Sequence, residues 1–235
     1  MGEPVSTDHD TEPVRAGDIL AAAGFRPGAE PAQVEPKPFE PEPFDRIAFR
    51  TDQAAATLAA RIPPMFADAT PDHPQVAAWV RRFLANRHDF PSLVLVGPTG
   101  TGKTWLCWGA VRAVVEGVAA RGEGLRWEAT THPALNAALR PSADNAHVGT
   151  LERLMHADLV FLDDLGAGKQ TEWTGDGLLR LVDYRWSHRL PMIYSANAVG
   201  QPLINAVGDR INSRLGDAVK VALLGDDRRW RRRSA

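Results

Sequence analysis

The residues Gly97-Pro98-Thr99-Gly100-Thr101-Gly102-Lys103-Thr104 read G-x-x-x-x-G-K-[ST], between an apolar run over residues 92–96 and a helical stretch to about Ala120. Strand, glycine loop and helix form the setting in which this spacing cradles phosphates. Glycines remove the Cβ atoms that would keep backbone N–H groups from converging on a phosphate, and the helix N-terminus adds its positive dipole. Lys103 is expected to reach the β- and γ-phosphates, and Thr104 to offer its hydroxyl to Mg²⁺. Trp105 adjoins the loop and is counted with it as part of the nucleotide-binding stretch. Its ring, like that of Trp108 on the same helix, reads as packing rather than base stacking. ATP and Mg²⁺ are the cofactors this pattern calls for.

A second apolar run, in LVFLDDLGAGKQTEW from Leu159, ends in Asp163 and Asp164. Charge at the end of a buried strand costs free energy unless something there needs it. A P-loop needs such a strand, ending in a carboxylate that holds the magnesium, and Asp163 is the expected metal partner beside Thr104. Asp164 stands where an acid would polarise the attacking water, with the shorter reach of Asp compared with Glu. Two acids beside a phosphate repel it unless Mg²⁺ and Lys103 offset their charge, so the pair itself points to a metal. Gly166-Ala167-Gly168-Lys169 lacks the loop spacing and follows the wrong strand, which makes Lys169 a loop lysine. Downstream, PMIYSAN is an apolar strand ending in Ser195 and Asn197. Parallel strands present their C-terminal ends to the ligand crevice, so Asn197 either touches the γ-phosphate or water, or is an ordinary turn asparagine. Arg210 and Arg214 lie four apart and share a helix face.

The elements that must position these groups follow from pattern. DGLLRLVDYRW places Leu178, Leu181, Val182 and Trp186 on one helical face, and AVKVALLG reads as a last strand before the basic tail DDRRWRRRSA. HPQVAAWVRRFLANR has Pro74 at its start and Val76, Trp79, Val80 and Phe83 at helical spacing, with Trp79 in the core. DRIAFRTDQAAATLAARI reads as a helix ended by Pro63 and Pro64. Residues up to about Phe44 are rich in proline and acids and are expected to be largely disordered. DILAAAGF from Asp18 is either a partly helical tail or a partner-docking helix. The expected organisation is an N-terminal extension over residues 1–44, a helical linker over 45–62 and an ATPase domain over 63–235. The chain of 235 residues, 44% hydrophobic, carries one cysteine, Cys107, which excludes an internal disulfide and a cysteine-based zinc site. No apolar run approaches the ~20 residues a membrane span needs. The polar start MGEPVSTDHD is not a secretory signal, and the expected compartment is the cytoplasm. A net charge of −2 advertises no global field for nucleic acid, though a local patch stays open.

From about Ile62 to Trp230 the chain resembles the DnaC/IstB-like AAA+ ATPases, most of all the DnaC-type helicase loaders of phages and bacteria. The residues that carry the resemblance are IPPMFADA, GPTGTGKTW, FLDDLGAGKQTEW, LVDYRWSHRLPMIYSAN, GDRINSRL and GDDRRW. The resemblance implies an α/β P-loop fold of AAA+ type: a five-stranded parallel sheet flanked by helices, without a full lid domain. In it the Asn197 strand lies between the P-loop strand and the Asp163 strand, which makes Asn197 the sensor-1 residue. It further implies that Arg214 is an arginine finger for a neighbouring subunit and that Arg229 is the sensor-2 arginine. Phe66 would lie near the adenine. Residues 131–157 would form inserted helices that contact single-stranded DNA, with Arg140 a contact. No cysteine-based zinc module precedes the ATPase, unlike in some relatives.

The reading that results is an ATP-dependent helicase loader that self-associates into a ring or spiral and partners a DnaB-type replicative helicase and single-stranded DNA, with no membrane role. An IstB-type transposition helper shares nearly all these motifs. A nucleotide-gated adaptor that hardly hydrolyses ATP also fits the short Asp164. A small-molecule P-loop kinase ranks lower, because the polar helical insert and an arginine supplied by a neighbour suit assembly better.

Overall fold

The computed structural model describes Ala22 and residues 44–87, 90–140, 146–167, 171–198 and 200–225. The chain divides into two units, Met1–Pro43 and Phe44–Ala235, and everything below belongs to the second. The extension expected to be disordered and the segment from Asp18, Ala22 apart, lie outside the described residues, as do Lys169 and Arg229, the expected second sensor.

Three apolar runs make the centre of the sheet. β1 (Leu93–Val96) is wholly Leu and Val, β3 (Leu159–Leu165) is apolar up to Asp163 and β4 (Met192–Ala196) opens Met-Ile-Tyr; all three are buried on both faces, as parallel strands covered by helices must be. β2 (Trp127–Thr131) and β5 (Val219–Ala222) are more mixed in sequence and more exposed, and they take the edges. The order is β2-β3-β4-β1-β5, with all neighbours paired in parallel. β4 therefore lies between the P-loop strand and the Asp163 strand, as the resemblance implies.

Alternation along the strands sends residues to two cores. Leu93, Leu95, Leu159, Phe161, Ile193 and Val221 face one side. There they meet α1 (Arg46–Arg61), α2 (Pro74–Ala85) and α3 (Lys103–Ala119), with Leu58 and Ile62 of the first segment joining the same core. Val94, Val160, Leu162, Met192 and Tyr194 face the other side. Against them pack α4 (His132–Ala138), α5 (Ala146–His156), α6 (Glu172–Ser187), α7 (Gln201–Val207) and α8 (Asp209–Arg214). Leu178, Leu181 and Val182 are buried there, while Trp186, expected on the same face, is 40% exposed at its rim. Its indole Nε1 donates to Asp217 at 2.9 Å, and a polar tip with a partner near water explains why the ring stops at the edge.

The β3–β4 register slips between Leu162 and Leu165. Such an irregularity releases residues from the ladder and re-aims their side chains. Here it falls on Asp163 and Asp164. Among the described residues no helix is long and apolar enough to cross a membrane.

Candidate functional site

The loop between β1 and α3 is built on backbone conformations that side-chain-bearing residues avoid. Gly100 and Gly102 have φ of 88° and 96°. At Gly97 the demand is steric: a Cβ would lie 2.2 Å from the carbonyl oxygen of Leu223, at the end of β5. Gly102 caps α3 without any side-chain hydrogen bond, so the first N–H groups of that helix are directed into the loop rather than satisfied by a capping side chain. Thr101 is buried and braces the turn, its hydroxyl donating to the Pro98 carbonyl at 2.9 Å. Lys103 is 5% exposed. Its Nζ donates to the carbonyls of Gly97 and Pro98 at 2.9 and 2.8 Å, which holds the ammonium over the loop. Pro98 and Thr99 complete the turn.

Across from the loop, the end of β3 and the end of β4 meet. Thr104 Oγ1 donates to Asp163 Oδ1 at 3.2 Å, and the Ser195 hydroxyl donates to the same oxygen. Asp163 is 8% exposed. Burial pushes its carboxyl above the usual carboxylate range; the charge of Asp164 adds to this, against the pull of the Ser195 and Thr104 hydroxyls and the Asp164 N–H. The Asp164 N–H donates to Ser195 Oγ at 2.9 Å, and Asn197 Nδ2 donates to Asp164 Oδ1 at 3.4 Å. Asp164 has φ 54°, a left-handed conformation in which Asp and Asn are enriched among residues with a Cβ. A longer acid would hold this backbone less readily, which gives the short side chain at 164 a local cause.

Lys103, Thr104, Asp163, Asp164 and Asn197 are thus gathered at the C-terminal end of the central strands. A hydroxyl and a desolvated carboxylate in contact are the donor set for Mg²⁺, which takes few protein ligands and leaves its other positions to water and phosphate. Among the described residues no three His, Cys, Asp or Glu side chains form a protein-only metal cage. Phe66 packs on α3, stacked on Trp108 with centroids 6.4 Å apart and edge-on to Trp105 at 6.5 Å. Trp108 is buried and Trp105 partly so, both in the core beneath the loop.

Arg214 lies at the other end of the sheet. It lines a small cavity with Ser92 and Met192, where β1 and β4 begin. Its Nε donates to Asp183 Oδ1 at 3.0 Å and its guanidinium stacks on Trp186, 4.1 Å from the ring centroid. Arg210 donates to the other oxygen of Asp183 at 3.2 Å. The fold does not bring Arg214 to its own chain's loop. Arg140 is exposed beyond α4, in the segment expected to contact DNA.

Sequence reasoning passed over three residues. Ser195 is read there only as a polar strand end, yet it joins both acids; its signal is alternation, which puts it on the same face as Asn197. Asp183 is a half-buried acid in mid-helix whose spacing marks it for nothing. His132 carries no motif at all.

The family pattern of IstB-like ATP binding proteins matches residues 79–220. Among solved structures, the DnaC helicase loader superposes with a TM-score of 0.59 at 20% identity, over 69% of this chain and 100% of that one. DnaI gives 0.58 at 20% identity, over 70% and 95%. AMPPCP-bound DnaA from Aquifex aeolicus gives 0.57 at 20% identity, over 71% of this chain and 52% of that one. At such identities these likenesses speak for the fold. Among curated proteins none matches this chain in sequence. The matched stretch runs from the middle of α2 into β5 and takes in more than half of the 235 residues, so the chain belongs to the IstB-like ATP-binding proteins of the DnaC/IstB AAA+ group.

Proposed function

We propose that this chain is a Mg²⁺-dependent ATPase that delivers a replicative helicase onto single-stranded DNA. The observation that carries the ATPase is Asp163: a buried carboxylate, raised in pKa, in contact with the P-loop hydroxyl of Thr104. Thr104 and Asp163 would hold the ion, which on binding neutralises charge between the phosphates. Lys103 exchanges its two loop carbonyls for β- and γ-phosphate oxygens. Backbone N–H groups from Thr99 to Thr104 hold the phosphate chain, with Trp105 and Phe66 closing the apolar side. Asp164 accepts a hydrogen bond from the attacking water, and Asn197 orients Asp164 or the γ-phosphate.

Arg214 serves a neighbour's site. Its position where β1 and β4 begin, away from its own loop, supports an arginine supplied in trans, and Arg229 acts as the second sensor. Head-to-tail contacts of this kind build rings or spirals. Nucleotide would then favour an assembly holding helicase and single-stranded DNA along residues 131–157, with Arg140 on the strand, and hydrolysis would release it. The extension over residues 1–44 docks the helicase, 45–62 connects it, 63–235 is the ATPase, and the protein works in the cytoplasm.

The likeness to the DnaC loader over the whole of that chain supports the loader. The match to the IstB pattern favours a second reading, a transposition helper that binds DNA and regulates a transposase. Affinity purification of the tagged protein from its native cells, with ATP present, separates the two. Recovery of a replicative helicase, lost on deleting the residues before Phe44, is expected; recovery of a transposase overturns the loader and keeps the ATPase.

A further inference from the structure

The turn that follows Asp163 is held at two ends. At the near end Ser195 Oγ takes the N–H of Asp164 at 2.9 Å. At the far end the N–H of Gly166 donates to His132 Nδ1 at 3.1 Å. Between them the chain runs through two left-handed residues, Asp164 at φ 54° and Gly166 at φ 88°, closed by the Ala167 N–H on the Asp164 carbonyl at 2.9 Å. A Cβ on Gly166 would stand 3.3 Å from Ala206 and 3.4 Å from Leu203, so α7 packs closely against the turn.

His132 is the first residue of α4, directly after Thr131, which pairs with Asp163 in the sheet. Its side chain is fully buried. Accepting at Nδ1 requires the neutral ring with its proton on Nε2. Burial keeps the imidazole below its ordinary pKa, which maintains that form. An apolar side chain would fill the space at lower desolvation cost; only an acceptor can take the Gly166 N–H there.

We propose that His132 is a positioning residue for ATP hydrolysis: its bond to the Gly166 N–H fixes the turn that aims the Asp164 carboxylate. The inference rests on the ATPase reading and on Asp164 as the acid at the water. A short carboxylate on a strained backbone has little reach to spare, and a misplacement of about 1 Å can cost on the order of 10²-fold in rate.

The test is single-turnover phosphate release from Mg·ATP by the full chain, at a concentration where self-association no longer raises the rate. Nucleotide affinity and thermal stability are measured alongside. His132→Phe removes the acceptor and is expected to lower the rate about 10- to 100-fold with affinity for ATP little changed. His132→Asn places its carbonyl oxygen near the Nδ1 position and is expected to recover most of the loss. If the Phe variant does not fold, His132→Gln, whose oxygen falls near the Nε2 position, replaces it with the same expectation. A merely structural histidine would lower melting temperature in all three variants without splitting rate from affinity or Asn from Gln, and that result overturns the proposal. So does an unchanged rate in the Phe or Gln variant, which leaves the ATPase reading intact. A wild-type chain that binds ATP and never hydrolyses it overturns both.

Discussion

Asp163 is held against its own solvation preference. Its carboxyl is buried and its pKa is raised, mainly by desolvation. A raised folded-state value means that the folded chain binds the proton more readily than the unfolded one. Stability from this group is complete below the ordinary carboxylate pKa and is lost as pH rises through the folded value, so at neutral pH the ionised side chain lowers stability. Asp163→Asn keeps an oxygen for Ser195 and Thr104 and removes the charge. Without Mg²⁺ or nucleotide its melting temperature at pH 7 is expected to rise by a few degrees, with the gain shrinking on acidification, while hydrolysis is lost. Thermal melts across pH check the first point and phosphate release the second. A variant no more stable than wild type at pH 7 would remove desolvation as the dominant influence. Lys103→Ala has a simpler expectation: nucleotide binding or turnover is abolished, the first read by titration with a fluorescent ATP analogue and the second by phosphate release.

At the scale of elements, two contacts decide whether the strands bring the site together. The edge strand β5 passes so close to β1 that Gly97 has no room for a methyl group beside the Leu223 carbonyl. Gly97→Ala must part β1 from β5 or bend the loop, an overpacking cost of about 1–3 kcal/mol in urea unfolding, with nucleotide affinity falling as well. The second contact is Arg185, which is 1% exposed. It donates to the carbonyls of Leu154, Met155 and Ala157 at the end of α5 and to that of Pro191 before β4. Burial lowers its pKa to about 10, which leaves it charged at pH 7. Arg185→Met fills similar space and strips those carbonyls of their donor, with an expected loss of at least about 2 kcal/mol by chemical denaturation. Pattern alone marks Tyr184-Arg185 only as part of a family motif, because a helix-period reading cannot tell an arginine in solvent from one that ties two elements together.

Assembly is the scale at which Arg214 acts. In the single chain it is paired with Asp183, which it shares with Arg210, and stacked on Trp186. A neighbour's triphosphate carries more negative charge than one carboxylate and would compete for the same guanidinium. Arg214→Ala is expected to bind ATP normally and to lose turnover in the assembly by roughly 10³- to 10⁵-fold. Mixing it with Lys103→Ala should restore part of the activity, since an intact P-loop on one subunit then faces an intact Arg214 on the next. Steady-state hydrolysis over a range of mixing ratios reads this out. No recovery at any ratio would refute a finger in trans.

Local sequence alone determined the parts that local physics controls. Glycines at 97, 100 and 102 with Lys103 and Thr104 specify a phosphate loop because only that spacing leaves backbone N–H groups converging. The continuous apolar runs at Leu93, Leu159 and Met192 specify central parallel strands because both their faces must be covered. The resemblance placed the Asn197 strand between the P-loop strand and the Asp163 strand, and the sheet agrees. Tertiary structure alone decided what depends on which distant atoms meet. Ser195 bridging both acids, His132 reaching Gly166 from another strand's end, and Asp183 gathering Arg210 with Arg214 are contacts between residues roughly thirty positions apart. No periodicity encodes such meetings, because a hydrogen bond is set by the geometry of the packed layers, and that geometry belongs to the whole fold.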